Sequence, residues 1–481
     1  MNPPASTAAL RSFPWRIETV WAAVLAAAAV AVAALVTGTG WGPLLMAVLG
    51  GLVVLGWVTR RAVRSLGLHG AWLALLMLSI LPGKMVAIGA GGQSATLAWT
   101  DAVLAAGVFW VLVRDRFVVR VPDVPFLRAL LPFLAWATVS LIVARDPLTA
   151  IAELKEWVAA VIVAIAAAQY ASNGERARHL LVMIAITSAL MGLHMLYVAF
   201  TSPLGVVMAI MRKTVDLPCG DTNYLSAHLC LAIPLAIGFI GCAKGRFHQL
   251  GWTVVVALCL TGLVLSMSRG GILSLAVGLV VAFGLERRQA LAPRLILAML
   301  IGVAGLLYTI GPLQQVIEMR LGSDALYYSA SERLDLYQLA WRQFLSHPIF
   351  GIGLNNFSVV SNYLRGVDTT PHNFEFGFLA ELGLPGLLMA LGWAFVLGRT
   401  AWRASRVAGA GGQRTLGLGL WAVFVAFAVH GQLDPDVYGQ SFKMFLFTIA
   451  AATWRLATEW ERERSQADLA ARQLTDTNSP A

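Results

Sequence analysis

Fourteen apolar runs, each close to the length of a bilayer crossing, follow one another along a chain of 481 residues. They lie at about 19–37, 41–58, 70–90, 97–113, 126–143, 157–171, 179–200, 224–243, 251–267, 271–285, 293–311, 374–398, 415–431 and 441–454. A helix that crosses the hydrocarbon needs about 20 mostly apolar residues at about 1.5 Å per residue. Runs 157–171 and 441–454 are short, so the expected number of spans is 12–14. The chain is 58% hydrophobic and 12% charged, with a mean hydropathy of +0.73, which excludes an ordinary soluble globule. The expected fold is all-α: a polytopic integral membrane protein forming one membrane domain over 1–481. Its non-membrane parts are residues 1–18, one large loop at 312–373 and a tail at 457–481.

The charge of +10 is distributed by side. With alternating spans and the N-terminal residues placed in the cytoplasm, 24 of the 35 Lys and Arg residues fall on the cytoplasmic side. That fixes both ends of the sequence inside and the 312–373 loop outside. The basic residues are spread over short loops instead of one soluble face, so they read as membrane anchoring and not as a nucleic-acid surface. The first run is too long for a removed signal peptide and lacks a small-residue cleavage site, so it reads as a first span. Cys219, Cys230, Cys242 and Cys259 have no metal-ligand spacing, and neither a disulfide nor a metal site is expected. The last 25 residues read as a short helix followed by a disordered tail.

The outer loop holds one amphipathic helix, expected over 331–346, with Ser331 as its cap and Pro348 beyond its end. Leu334, Leu336, Tyr337, Ala340, Trp341, Phe344 and Leu345 fall on one broad arc of that helix, which suits a rest on the membrane surface or on the bundle top. Arg333 falls inside the arc, and either snorkels to water or points into a polar cavity. The glycines of Gly351-Ile-Gly353 serve backbone geometry; no strand precedes them and no Lys-Ser/Thr follows, so this is not a phosphate loop.

Charged groups gather at outer span ends. Arg212 and Lys213 precede the 224–243 run, Arg269 lies between two runs with almost no loop, and His372 stands where the large loop re-enters the membrane. Gly270-Gly271 already supply the turn that the hairpin at Arg269 needs. An ionisable group at that depth is costly, so it faces a cavity or partner unless it merely snorkels. Guanidinium suits bidentate phosphate binding. An imidazole can take a proton from an acceptor hydroxyl. Pro371 precedes His372, and a helix starts at Asn373 carrying Glu375 and Glu381, either of which could orient the histidine or an acceptor. Asp434 and Asp436 read as a solvated outer turn. Two arginines and a histidine at outer span ends suggest a shared role, in which the arginines grip a lipid-linked diphosphate leaving group while the histidine activates the nucleophile. A transporter of an anionic solute is the competing class, but it would place charges nearer mid-membrane and often show internal repeats. A membrane scaffold for envelope assembly is a third, for which His372→Ala would be harmless.

SRGGIL at 268–273, RLDLYQLAWRQFLSHPIFGIGLNNF at 333–357 and PHNFEFGFLAELGLPG at 371–386 resemble the O-antigen ligase and polymerase superfamily of bacterial envelope glycosyltransferases. The resemblance implies a metal-independent inverting transferase without cofactors in the inner membrane, with its site facing the periplasm. It further implies an undecaprenyl-diphosphate-linked glycan as donor. The acceptor would be lipid A–core for a ligase, a second lipid-linked glycan for a polymerase, or a Ser or Thr hydroxyl for a protein-glycosylating member. By position, Arg269 and His372 match the motif arginine and histidine. Arg212 matches a further arginine, with Lys213 as its nearest substitute, and Asn223 matches an asparagine. Arg333 joins the diphosphate-binding set, and Asn373 and Glu375 the supporting one.

Overall fold

Where no water can partner backbone N–H and C=O groups, a chain this apolar must satisfy them within its own segments, and helices do so. In a computed structural model the described residues are 66–81, 84–90, 93–114, 121–201, 222–284, 323–366, 369–434 and 436–477. The chain divides into two compact units, 1–75 and 76–481, and the second holds the candidate site. Its long elements are α2 (Trp99–Arg114), α3 (Pro125–Val139), α4 (Pro147–Tyr170), α5 (Gly174–Thr201), α6 (Thr222–Cys242), α7 (Arg246–Leu265), α8 (Arg269–Phe283), α9 (Ser323–Ser346), α10 (Phe357–Arg365), α11 (Phe374–Val407), α12 (Gly412–Gly431) and α13 (Gln440–Thr477); α1 (Leu66–Leu78) straddles the division. Among the described residues, six helical segments are long and apolar enough to cross a membrane: 125–142, 174–198, 222–242, 246–265, 374–407 and 412–431. The protein is thus an all-α polytopic membrane protein. The runs at 19–37, 41–58 and 293–311, with Arg212, Lys213 and Cys219, lie outside the described residues.

Three segments differ from expectation. The 70–90 run is helical only to Leu78; β1 (Lys84–Ala90) then pairs antiparallel with β2 (Gln93–Ala98), with Ala90 opposite Gln93. Gly91-Gly92 between the strands is a two-residue hairpin signal, which a hydropathy window averages away. Helix α9 begins at Ser323, so Ser331 lies inside it and does not cap it. The sequence from Asp324 to Arg333 has no Gly or Pro to stop a helix. The expected disordered tail is helical to Thr477, because Ala, Glu, Arg, Gln and Leu are strong helix formers whatever their polarity.

Helix α12 sits between α6 and α8, and α11 packs on α12, α13, α3 and α9. Close approach uses small residues, as membrane helix contacts do: a Cβ on Gly262 of α7 would stand 2.7 Å from the Cα of Gly192 of α5. An aromatic cluster fills the bundle, with Phe133, Phe378 and Phe447 all against Trp157, and Phe133 and Phe447 also against Trp393. Lys443 is fully buried, bonded to Glu153 at 2.5 Å and Glu156 at 3.2 Å, with its ammonium 5.1 Å from the Trp157 ring centroid. A buried charge needs such partners.

The alternation read from sequence brings the end of α3, the starts of α4, α6, α8, α11 and α13, and the end of α12 to one end of the bundle. Leu354 N donates to Ser140 Oγ at 3.3 Å and Asp146 N to Asn356 Oδ1 at 2.6 Å, which ties the large loop to the α3–α4 joint. Asn373 at the start of α11 bonds Gln432 at the end of α12. The opposite end is closed by Arg403–Glu461 and Arg414–Ser405 contacts.

Candidate functional site

The loop re-entry is a built corner. Asn373 caps α11 by accepting from Phe376 N at 2.9 Å, while its Nδ2 donates to Gln432 O at 3.3 Å and Oε1 at 3.2 Å. Gln432 Nε2 in turn donates to Glu375 Oε1 at 2.6 Å. Asn373 and Glu375 therefore support the corner by zipping the start of α11 to the end of α12. Immediately before the cap, His372 adopts φ +53°, a left-handed conformation that side-chain-bearing residues seldom take.

In that conformation His372 Nδ1 lies 3.1 Å from Asp434 Oδ1, and Nε2 lies 3.3 Å from Thr369 Oγ1. Both side chains of the His–Asp pair are only 15% exposed. Asp434 is therefore not the solvated turn residue expected. Leaving α12, the chain turns back through Leu433 N and Asp434 N to His430 O, at 2.8 and 2.7 Å, which carries the carboxylate inward beneath the imidazole. Burial alone would raise the Asp434 carboxyl. The hydrogen bond and charge of His372, with the charges of His430 and Arg333, outweigh it and hold the group below its ordinary value. Sequence reading overlooked this pairing, although an acidic residue between two spans on the histidine's side was a signal for it.

Arg333 comes from the arm above. Leu336 and Ala340 of α9 are buried with Ile352, Phe357, Val360 and Ala380, and Tyr337 stacks on Phe376 with centroids 4.9 Å apart and planes 8° apart. This seats α9 on the first turns of α11. The broad arc read from sequence in fact divides: Leu336, Tyr337, Ala340 and Phe344 face inward, whereas Leu334, Trp341 and Leu345 are exposed. Arg333 is half-buried beside Tyr337, and its charge bears on Asp434. Burial raises the Tyr337 phenol, partly offset by Arg333.

Arg269 is the first residue of α8, capped by Ser268, whose Oγ accepts from Gly271 N at 3.2 Å. Its side chain is exposed at the positive end of that helix, an electrostatic setting suited to an anion. A Cβ on Gly270 would stand 3.3 Å from Leu433, so this turn abuts the residue next to Asp434. Gly271 faces Ser226 of α6, whose Oγ donates to Asn223 O at 2.7 Å and meets His430 Nε2 at 3.2 Å. Asn223, Arg269, Arg333, His372, Asn373 and Glu375 are thus brought to one corner, with Asp434, Gln432, Ser226 and His430 added.

The corner joins a carboxylate-oriented imidazole to a cationic side chain at a helix N-terminus, the elements needed to take a proton from a hydroxyl while stabilising an anionic leaving group. No curated protein matches the chain significantly. Residues 254–391 match the family model described as O-antigen ligase. That segment includes Arg269, Arg333, His372, Asn373 and Glu375 and stops short of Asp434. The three motifs all lie inside the matched segment, so residues 254–391 are similar to the O-antigen ligase family.

Proposed function

We propose that the protein is a metal-independent, inverting glycosyltransferase of the O-antigen ligase type. It takes glycan from undecaprenyl diphosphate and transfers it to a hydroxyl of lipid A–core at the periplasmic face of the bacterial inner membrane, with both ends of this sequence cytoplasmic. The observation that carries the reading is the His372–Asp434 pair, with His372 Nε2 turned toward a hydroxyl at 3.3 Å. With Nδ1–H donating to Asp434, Nε2 is the basic nitrogen, and the Thr369 hydroxyl occupies the position an acceptor hydroxyl would take.

In the proposed step the acceptor hydroxyl gives its proton to His372 Nε2 while its oxygen bonds to the anomeric carbon. The bond from that carbon to the diphosphate oxygen breaks, and the electron pair leaves with the lipid diphosphate. One displacement inverts the anomeric centre. Arg269 meets the developing negative charge through two N–H donors, and Arg333 adds positive charge from the arm. Arg212 and Lys213 are assigned to the same diphosphate. Asp434 holds the imidazole tautomer and stabilises the imidazolium that forms.

The test is a gel of surface glycans from a deletion strain restored with wild type or His372→Ala. Loss of the long ladder from lipid A–core, with lipid-linked polymer accumulating, is the expected result. Collapse to one repeat on a decorated core would instead assign a polymerase using the same donor. An unchanged pattern would remove the reading. Chelator should leave transfer by the purified protein intact.

A further inference from the structure

Glu381 lies on α11 in the apolar bundle, 1% exposed, and the transfer step above does not use it. Three donors converge on its carboxylate. Tyr438 Oη donates to Oε2 at 2.6 Å, Asn355 N to Oε2 at 2.8 Å, and Phe357 N to Oε1 at 3.1 Å. Helix capping alone would account for the Phe357 N–H, which opens α10, and local loop geometry for the Asn355 N–H just ahead of it. Neither accounts for Tyr438. That residue belongs to the turn Asp436–Tyr438, which follows Asp434. One buried side chain therefore joins the two segments that flank His372: the arm bearing Arg333 and the turn bearing Asp434.

The surroundings are shaped for this link. Gly351 (φ +67°) and Gly383 (φ +68°) let the arm lie directly on the α11 backbone, where Ile352 N bonds Ala380 O at 3.0 Å, Gly353 N bonds Glu381 O at 2.9 Å and Leu384 N bonds Pro348 O at 2.9 Å. Asn355 is held at φ +54° with its N–H aimed at Glu381. On the other side, a Cβ on Gly377 would stand 3.1 Å from Tyr438 Oη, so the missing side chain leaves a passage for the phenol. A buried carboxylate is costly to desolvate, and a packed apolar residue would serve stability as well.

We infer that Glu381 is a positioning residue of the transfer site, fixing the Arg333-bearing arm and the Asp434 turn at one separation across His372. The inference rests on the glycosyltransferase reading for its kinetic consequence, but its structural content can be measured without chemistry. Glu381→Gln keeps the size and one acceptor oxygen; Tyr438→Phe removes only the hydroxyl link.

The experiment uses the full chain in vesicles with a lipid-diphosphate-linked glycan donor, and compares wild type, Glu381→Gln, Tyr438→Phe and the double variant. Each is normalised to folded protein. Small misplacements of catalytic groups cost up to roughly 100-fold in rate, so kcat should fall by about 10- to 100-fold in each single variant while KM for the donor changes little. The double variant should be no worse than the poorer single one, because both cut one link. In parallel, spin labels at Leu364→Cys on α10 and Leu388→Cys on α11, both exposed positions, report the arm's distance from the bundle in a background without other reactive cysteines. A narrow distribution in wild type that broadens in Glu381→Gln is expected. Wild-type kcat per folded molecule in both single variants would overturn the inference. If the wild type shows no transfer, the transferase reading falls and the label distances decide alone: an unbroadened distribution in Glu381→Gln overturns the inference.

Discussion

His372, Asn355 and Met267 are the non-glycine residues with left-handed φ among the described residues, at +53°, +54° and +51°. Each borders the site: one is the proposed base, one reaches Glu381, and one lies two residues before Arg269. Residues held in sparsely populated conformations cost about 1–3 kcal/mol each and cluster where function requires them. The His372–Asp434 pair gives the first prediction. Asp434→Asn keeps the shape but can offer an N–H where the imidazole needs an acceptor, so kcat should fall by about 100-fold or more while donor KM holds. Asp434's carboxyl lies below its ordinary value, so the carboxylate's contribution is present above that value and is lost only as pH falls through the lowered one. The wild-type rate should therefore show no loss from protonation of this carboxylate across the range in which an ordinary carboxylate is ionised, which a pH–rate profile checks. At Arg269, lysine keeps the charge but not the fork. Arg269→Lys should lose most activity with insertion unchanged, and a kcat within about twofold of wild type would remove bidentate diphosphate binding from the mechanism.

At the scale of elements, the parts that read well from sequence are those whose period or chemistry is local. Helices α6, α7, α11 and α12 fall close to the apolar runs because a span must be long and continuous. Arg269 and His372 stood out in the sequence because a charge or imidazole at a span end is costly, and both fall inside the matched segment 254–391. Three things were not legible. The β1–β2 hairpin hid inside an apolar average, α9 ran past a serine that resembled a cap, and Asp434 looked like turn solvent because its partner is 62 residues away in sequence. Only tertiary packing distinguishes a carboxylate beneath an imidazole from one in water. The same packing predicts the behaviour of the arm. Gly351→Ala places a methyl group against the Glu381 backbone at φ +67°, so it carries both conformational cost and collision. A loss of at least about 1–3 kcal/mol is expected, read as a lower midpoint in thermal unfolding in detergent. Gly366→Ala has the same sign of φ, +69°, but nothing within 4 Å of the added carbon. It separates the two causes: its smaller loss measures backbone strain alone.

For the whole molecule, one consequence follows from the proposed orientation. A lipid diphosphate carrying an exported glycan presents its reacting bond outside the cytoplasm, so every group assigned to the step must share one face. Among the described residues the packing meets that condition, since the ends of α3 and α12 and the starts of α4, α6, α8, α11 and α13 gather at the same end, while Arg403, Arg414 and Glu461 gather at the other. The excess of Lys and Arg in the loops of that other end is the ground for the proposed direction, because translocation keeps such loops on the cytoplasmic side. On the proposed orientation α11 leaves the site, α12 returns to it and α13, which carries the apolar run at 441–454, leaves again, which puts Leu364 and Ser465 on opposite sides. Cysteines at these two exposed positions test it in intact cells. The one at Leu364 on α10 should react with a membrane-impermeant maleimide once the outer membrane is opened. The one at Ser465 on α13 should react only after the inner membrane is breached. The reverse pattern would put the imidazole and Arg269 in the cytoplasm and sink the periplasmic transfer. Labelling of both while a cytoplasmic control protein stays unlabelled would contradict the odd number of crossings between α10 and the end of α13.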